Sequence, residues 1–157
     1  MLGLAGAALA LWAAGVATWA EPPPVAPAIP PAQSDYLLYC GGCHGVDGRS
    51  ADRLVPTLRD QVGAFQCSPA GRDYVARLPN VAFTPLDDAR LAALLNYVFS
   101  MDAHAYRRTT PAYTPEQVST LRRKPLVGTP ISAYRRTLVA RAIADCGGSQ
   151  SLKRYGG

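Results

Sequence analysis

The residues best suited to carry chemistry form one short run, Cys40-Gly41-Gly42-Cys43-His44. Two residues between the cysteines place both thiols on one edge of a helical turn, and His44 follows the second thiol directly. A C-x-x-C-H run lets two thiols add across the two vinyl groups of a haem while the histidine ligates its iron. The sequence therefore predicts one covalently bound haem c, attached through Cys40 and Cys43, with His44 as the proximal iron ligand.

The cysteine pair has two other interpretations, a redox-active C-x-x-C and half of a zinc site. The first is expected beside a βαβ pattern, which this sequence does not show, and the second needs another Cys/His pair nearby. The remaining cysteines, Cys67 and Cys146, stand singly without an adjacent histidine. In an oxidising compartment these two either form a disulfide or remain as two free buried thiols.

Composition limits the class of protein. The chain has 157 residues, of which 48% are hydrophobic, enough for one domain with a core and an extension, and disorder throughout is excluded. The formal net charge is +5, but basic residues do not form a stripe interleaved with aromatics, and no nucleic-acid-binding motif is present. We therefore expect no nucleic-acid partner.

The N-terminal segment predicts export. Residues 1–20 are apolar and uncharged and end with small side chains at Thr18 and Ala20, as in a signal peptide. Because the segment has no Lys or Arg, retention as an N-terminal membrane anchor is the alternative. Residues 21–33 form a Pro-rich linker that we expect to be extended and non-helical. Either outcome predicts a periplasmic protein that contacts the membrane only if the leader is retained.

Helical patterns dominate the haem domain, which we predict to span residues 34–101. Ser34 is a candidate N-cap for a first helix that reaches Cys40, and residues 45–50 have the composition of a loop. Proline and glycine punctuate residues 56–83, which indicates short helices and loops. No stretch alternates for long enough to indicate a strand, so the predicted fold class is all-α.

A closing amphipathic helix is predicted after this punctuated stretch. Thr84 is its candidate N-cap, with Pro85 at the first helical position and Asp87 completing a capping-box variant. Apolar residues at helical spacing then continue as far as Val98.

The run from Tyr36 to Gly48, followed by this helix, resembles class I c-type cytochromes, and more narrowly the small periplasmic monohaem cytochromes of proteobacteria. The resemblance covers residues 34–101. It implies that the carbonyl of Pro56 accepts a hydrogen bond from His44 and thereby orients the ring. It also implies that Tyr36 and Tyr97 pack where the first helix crosses the last.

The second axial ligand of the iron departs from the family pattern. Members carry a methionine shortly before the closing helix, yet residues 77–83 contain neither Met nor His. Beyond the leader, the remaining candidates are Met101, taken as a tentative distal ligand, and His104. Met101 reaches the iron only if the chain turns back after the helix, so a vacant, water-bound or otherwise ligated iron stays open.

A basic helical C-terminal extension is predicted for residues 102–157. It carries ten basic and three acidic residues, a net charge of +7, whereas residues 21–101 carry −2. Thr114 opens a capping box for a helix to about Lys124, and Thr129-Pro130 opens another that stops at Gly147. We expect the extension to pack on the haem domain. Its arginines form either a solvated helix face or a docking surface for an acidic redox partner.

These expectations define three functions. The first is a periplasmic electron carrier, not an enzyme, that shuttles single electrons between a dehydrogenase and a downstream acceptor. The second is a five-coordinate haem protein with ligand-binding or peroxidatic activity, because the usual methionine is missing. The third is a haem subunit of a larger oxidoreductase complex, because the extension is charged and an anchor is possible.

Overall fold

The computed structural model describes residues 28–51, 55–102 and 110–156. Within these ranges the regular structure is helical and includes no strand, which confirms the all-α class. The helices are α1 Pro31–Tyr39, α2 Gly41–His44, α3 Pro69–Arg77, α4 Pro79–Ala82, α5 Asp88–Ser100, α6 Pro115–Arg122 and α7 Ile131–Cys146, together with the 3₁₀ helices Val62–Cys67 and Gln150–Gly156. Residues 1–20, the start of the linker and His104 lie outside the described residues.

None of the described helices is both long and apolar enough to cross a membrane.

Helix α1 starts earlier than expected. Pro30 is its N-cap and Pro31 its first residue, while the backbone N–H of Ser34 already donates to the Pro30 carbonyl at 3.0 Å. The prediction that Ser34 caps this helix is therefore wrong, and so is the assignment of the end of the linker to non-helical chain. Proline fits the first helical position because its fixed φ suits the helix and its missing N–H needs no partner there.

Helix α1 crosses α5 as the resemblance implied. The rings of Tyr36 and Tyr97 meet at the crossing with centroids 5.7 Å apart. Beside them the buried carboxylate of Asp35 pairs with the guanidinium of Arg90 on α5, and Arg90 Nε lies 3.2 Å from Asp35 Oδ2. The aromatic contact and the ion pair together fix the orientation of the helix that leads into the C-x-x-C-H run.

Helix α5 begins three residues later than predicted. Asp87 is the N-cap, and its carboxylate accepts from the backbone N–H of Arg90 at 2.7 Å. The predicted N-cap, Thr84, instead donates its hydroxyl to the carbonyl of Asn80 at 3.0 Å, at the end of α4. Thr84 and Asp87 are both good capping residues, and the choice between them depends on how α4 ends.

The segment between α2 and α5 folds into short elements, as predicted. The first is the 3₁₀ helix Val62–Cys67, where the backbone N–H of Gly63 donates to the buried carboxylate of Asp102 at 2.9 Å. Helices α3 and α4 follow, with Ser68 as the side-chain cap of α3. A residue from beyond α5 therefore holds the first of these short elements.

The C-terminal extension packs on the helices that precede it, as predicted. Helix α6 lies against α3 and α5, and Thr114 and Gln117 form the expected capping box at its start. Helix α7 lies against the 3₁₀ helix Val62–Cys67 and ends before Gly147, whose φ of 66° gives the predicted stop. A disulfide joins Cys67 to Cys146 across this contact, with Cα atoms 6.1 Å apart, so the pairing alternative is confirmed.

Candidate cofactor site

A single apolar cavity of about 250 Å³ brings the motif residues together. Cys40, Cys43 and His44 form one part of its wall, and Cys43 is exposed, so the cavity is open to solvent on that side. The other lining residues are Tyr39, Pro56, Leu58, Val62, Phe65, Tyr74, Val75, Leu78, Asn80, Val81, Thr84, Leu91, Leu94, Leu95, Val98, Ile131 and Arg135.

The imidazole of His44 is oriented by the main chain. Its Nδ1 lies 2.8 Å from the carbonyl oxygen of Pro56, so the predicted hydrogen bond is present. A carbonyl can only accept, and Nδ1 must therefore carry the proton. Nε2 keeps its lone pair, which is the form in which a histidine ligates a metal.

A hydrogen bond from a side chain of α1 holds the loop that follows His44. The buried hydroxyl of Tyr36 donates to the carbonyl of Gly45 at 2.6 Å, and burial raises the pKa of Tyr36 to about 12. Gly45 has φ of 78°, and a Cβ there would lie 2.2 Å from the carbonyl oxygen of Arg49. The turn that leaves His44 therefore needs glycine at this position.

Cys40 differs from the reactive thiol of a redox-active pair. Both are free, with Cys40 half-buried, and burial together with the neighbouring Cys43 raises the pKa of Cys40 to about 11. Reactive C-x-x-C thiols have a lowered pKa because an electropositive site stabilises the thiolate. In the described ranges, no group of three or more His, Cys, Asp or Glu residues could hold a metal ion.

Met101, the tentative distal ligand, lies away from this cavity. It follows α5 as its C-cap and is 6% exposed, and it is not among the residues that line the cavity. Its sulfur lies against Gly48, so the chain does turn back after Ser100, but toward the loop after His44. The described lining residues thus include neither a methionine nor a second histidine.

Two of the lining residues, Ile131 and Arg135, belong to α7 in the C-terminal extension, where sequence reasoning placed no part of the site. They lie far along the chain from the C-x-x-C-H run, and Arg135 was interpreted as part of a basic surface. The pairing of Cys67 with Cys146 was the available signal, because it places α7 beside the segment that carries Val62 and Phe65.

Arg122, one of the arginines expected on an exposed face of the extension, is mostly buried. Its side chain is only 18% exposed, and the guanidinium donates to three backbone carbonyls, those of Ala82 at 3.0 Å, Leu86 at 2.7 Å and Thr84 at 2.5 Å. It also lies 3.1 Å from a carboxylate oxygen of Asp88. Arg122 therefore fits neither of the two alternatives, since both place the arginines of the extension in solvent and Arg122 instead joins α6 to the segment between α4 and α5.

Exposed apolar side chains flank the motif along the chain. Leu38 and Val46 are each 72% exposed, and Tyr39 is 44% exposed. Leu38, Tyr39 and Val46 are within three residues of Cys40, Cys43 or His44 in sequence, so apolar surface borders the exposed thiol.

Comparisons with protein-family models, with curated proteins and with solved structures gave no match.

Proposed function

We propose that this chain is an exported, periplasmic monohaem c-type cytochrome of class I fold that carries single electrons between a dehydrogenase and a downstream acceptor. One observation carries the proposal. Cys40, Cys43 and His44 line the same apolar cavity, and His44 Nδ1 donates to the Pro56 carbonyl, which leaves Nε2 as the ligating atom.

The residues present fit a covalent haem. The cavity walls are mostly aliphatic and aromatic, as a flat apolar macrocycle requires, and four side chains of α5 supply one wall: Leu91, Leu94, Leu95 and Val98. Cys43 is exposed on the open side, and each of the two thiols would form one thioether bond with a bound haem. A bound haem supplies reversible one-electron chemistry at iron.

The protein contributes orientation and a low dielectric. The hydrogen bond to Pro56 fixes the tautomer of His44 and raises its basicity as a ligand. Apolar walls exclude water and so influence the reduction potential. The bordering exposed residues, such as Leu38 and Val46, offer apolar surface for brief contact with a redox partner.

Haem staining after denaturing electrophoresis tests the proposal, in protein expressed with a c-type maturation system. Stain should stay with the wild-type polypeptide and disappear from the Cys40→Ala/Cys43→Ala double variant. The matched control is Cys67→Ala/Cys146→Ala, which also removes two cysteines and should keep covalent haem. Covalent haem in the first double variant, or none in the wild type, would reject the proposal.

A ligand-binding or peroxidatic haem protein is the second candidate. One observation favours it: the described residues lining the cavity provide His44 but neither a methionine nor another histidine. An open iron predicts rapid binding of carbon monoxide by the ferrous protein and no Met–iron band in the near-infrared spectrum of the ferric protein. Slow carbon monoxide binding together with that band would favour the carrier.

A further inference from the structure

One charged side chain from the C-terminal extension lines the otherwise apolar cavity. Arg135 is half-buried on α7 and, apart from the imidazole of His44, is the one ionisable basic group among the described lining residues. The described lining residues include no Asp or Glu. Because the extension lies outside the region that resembles class I cytochromes, the resemblance assigns Arg135 no role.

Helix α7 is held firmly at this position. The disulfide to Cys67 ties its C-terminal end to the 3₁₀ helix, and Tyr134 packs edge-on against Tyr74 with ring centroids 5.7 Å apart. Ile131, one turn before Arg135, lines the cavity as well. The guanidinium is near enough to Tyr74 to oppose the rise that burial produces in the pKa of that hydroxyl.

A guanidinium beside an apolar cavity favours an anionic group in the ligand, because charge is poorly solvated there and Arg matches a carboxylate in two hydrogen bonds. Haem carries two such carboxylates, its propionates. Thioether bonds to Cys40 and Cys43 would hold the vinyl edge of the macrocycle, which is the edge opposite the propionates. Arg135 belongs to a different part of the wall, supplied by α7.

We propose that Arg135 pairs with a haem propionate, so that the C-terminal extension completes the cofactor site. The inference rests on the proposed function, since it requires the haem. In this arrangement α7 and its disulfide position the positive charge of Arg135 so that it compensates the negative charge of the propionate. Without that charge, the uncompensated carboxylate favours ferric over ferrous iron, and the midpoint potential falls.

The test uses the full-length haem-loaded protein and three variants, Arg135→Gln, Arg135→Lys and Arg136→Gln. Arg136 is the neighbouring exposed arginine, so its variant is the matched control for charge. Resonance Raman bands of propionate bending and the midpoint potential are measured at one pH. Arg135→Gln should shift the propionate bands and lower the potential, Arg135→Lys should retain most of the potential, and Arg136→Gln should leave the bands unchanged.

A second measurement does not depend on the folding of a variant. In the carbon monoxide complex of the ferrous wild-type protein, which is diamagnetic, nuclear Overhauser contacts should connect the side chain of labelled Arg135 to the propionate methylene protons. Absence of these contacts would overturn the inference, and so would unchanged bands in Arg135→Gln. A change in cyanide or azide affinity without a change in the propionate bands would also overturn it, by placing Arg135 near the iron instead. All these outcomes require a protein that stains for haem, so they are distinct from failure of the proposed function.

Discussion

The sulfur of Met101 lies against Gly48, which belongs to the loop that follows His44. A Cβ at Gly48 would be 2.7 Å from Met101 Sδ, and φ of Gly48 is 85°. The Gly48 carbonyl in turn accepts from the backbone N–H groups of Leu58 and Arg59 at 2.8 and 3.0 Å. The end of α5 is thus fixed to the same loop that follows His44.

This contact predicts a structural role for Met101. Met101→Leu nearly conserves volume and should cost less than about 1.5 kcal/mol, while Met101→Ala leaves a cavity and should cost about 2–5 kcal/mol. Neither change should alter the absorption spectrum of the haem-loaded protein. Chemical denaturation measures the stability, and loss of a Met–iron band in both variants would instead make Met101 an iron ligand.

Tyr36→Phe removes only the hydroxyl that donates to Gly45. We expect a loss of about 0.5–1.5 kcal/mol in the free energy of unfolding, because one buried hydrogen bond disappears. Tyr39→Phe is the control, since Tyr39 is 44% exposed and should change the stability little. Equal effects of the two changes would contradict a specific role for the Tyr36 hydroxyl.

Tyr36 also predicts a pH dependence. Its folded pKa of about 12 is above the ordinary value of 10.0, so the folded chain holds this proton more tightly than the unfolded chain. The resulting stability is complete below pH 10 and is lost as the pH rises from about 10 to 12. Unfolding curves across this window should fall less steeply for Tyr36→Phe than for the wild type, and parallel curves would show that the hydroxyl does not contribute.

Local patterns predicted what depends on local chemistry. The capping box at Thr114 and the stop at Gly147 are where the sequence indicated, because each needs only residues of its own turn. The predicted starts of α1 and α5 were wrong, because other residues near Pro31 and Asp87 are equally suitable for the start of a helix. Helix propensity alone cannot distinguish neighbouring candidate N-caps when the packing of the preceding segment selects one of them.

Of the contacts between residues far apart in the chain, some could be predicted from the sequence and others could not. The bond from His44 to Pro56 was predictable because a family resemblance covers both residues. The roles of Arg122 and Arg135 were not, because an amphipathic basic helix gives the same pattern whether an arginine faces solvent, backbone carbonyls or a cavity. Only the packing of α6 and α7 distinguishes these environments.

Arg122→Gln should be strongly destabilising. The change removes a guanidinium that donates hydrogen bonds to three carbonyls and to the Asp88 carboxylate. We therefore expect the free energy of unfolding to fall by about 2–4 kcal/mol. Arg123→Gln is the matched control, because Arg123 is exposed and its guanidinium donates to the hydroxyl of Ser119, one turn earlier on α6. Thermal unfolding of the two variants provides the comparison, and equal stability would contradict the structural role of Arg122.

The Cys67–Cys146 disulfide closes a sequence separation of 79 residues. Its removal in Cys67→Ser/Cys146→Ser should lower the unfolding free energy by about 2–4 kcal/mol, because the unfolded chain gains conformational freedom. Mass spectrometry of wild-type protein alkylated without reductant should find both cysteines protected. Alkylation at both positions in folded protein would show that the disulfide does not form.

Electrostatic docking is best tested at the exposed end of α6. Arg123 and Lys124 are exposed, unlike Arg122, so Arg123→Glu/Lys124→Glu changes surface charge without the structural arginine. Oxidation of the ferrous protein by anionic hexacyanoferrate should slow as salt rises, because exposed charges are screened over about 8 Å at physiological ionic strength. The double variant should be slower at low salt and less sensitive to salt.

A second double variant distinguishes docking at the end of α6 from a general effect of net charge. Arg136 and Arg141 are exposed on α7, and Arg136→Glu/Arg141→Glu changes the net charge by the same amount. If the end of α6 is the docking surface, its variant slows oxidation more than the α7 variant does. Equal slowing would mean that the anion responds only to net charge. A rate that neither pair nor salt affects would leave the basic extension as a solvated face, because an attraction that contributes to encounter must weaken with screening.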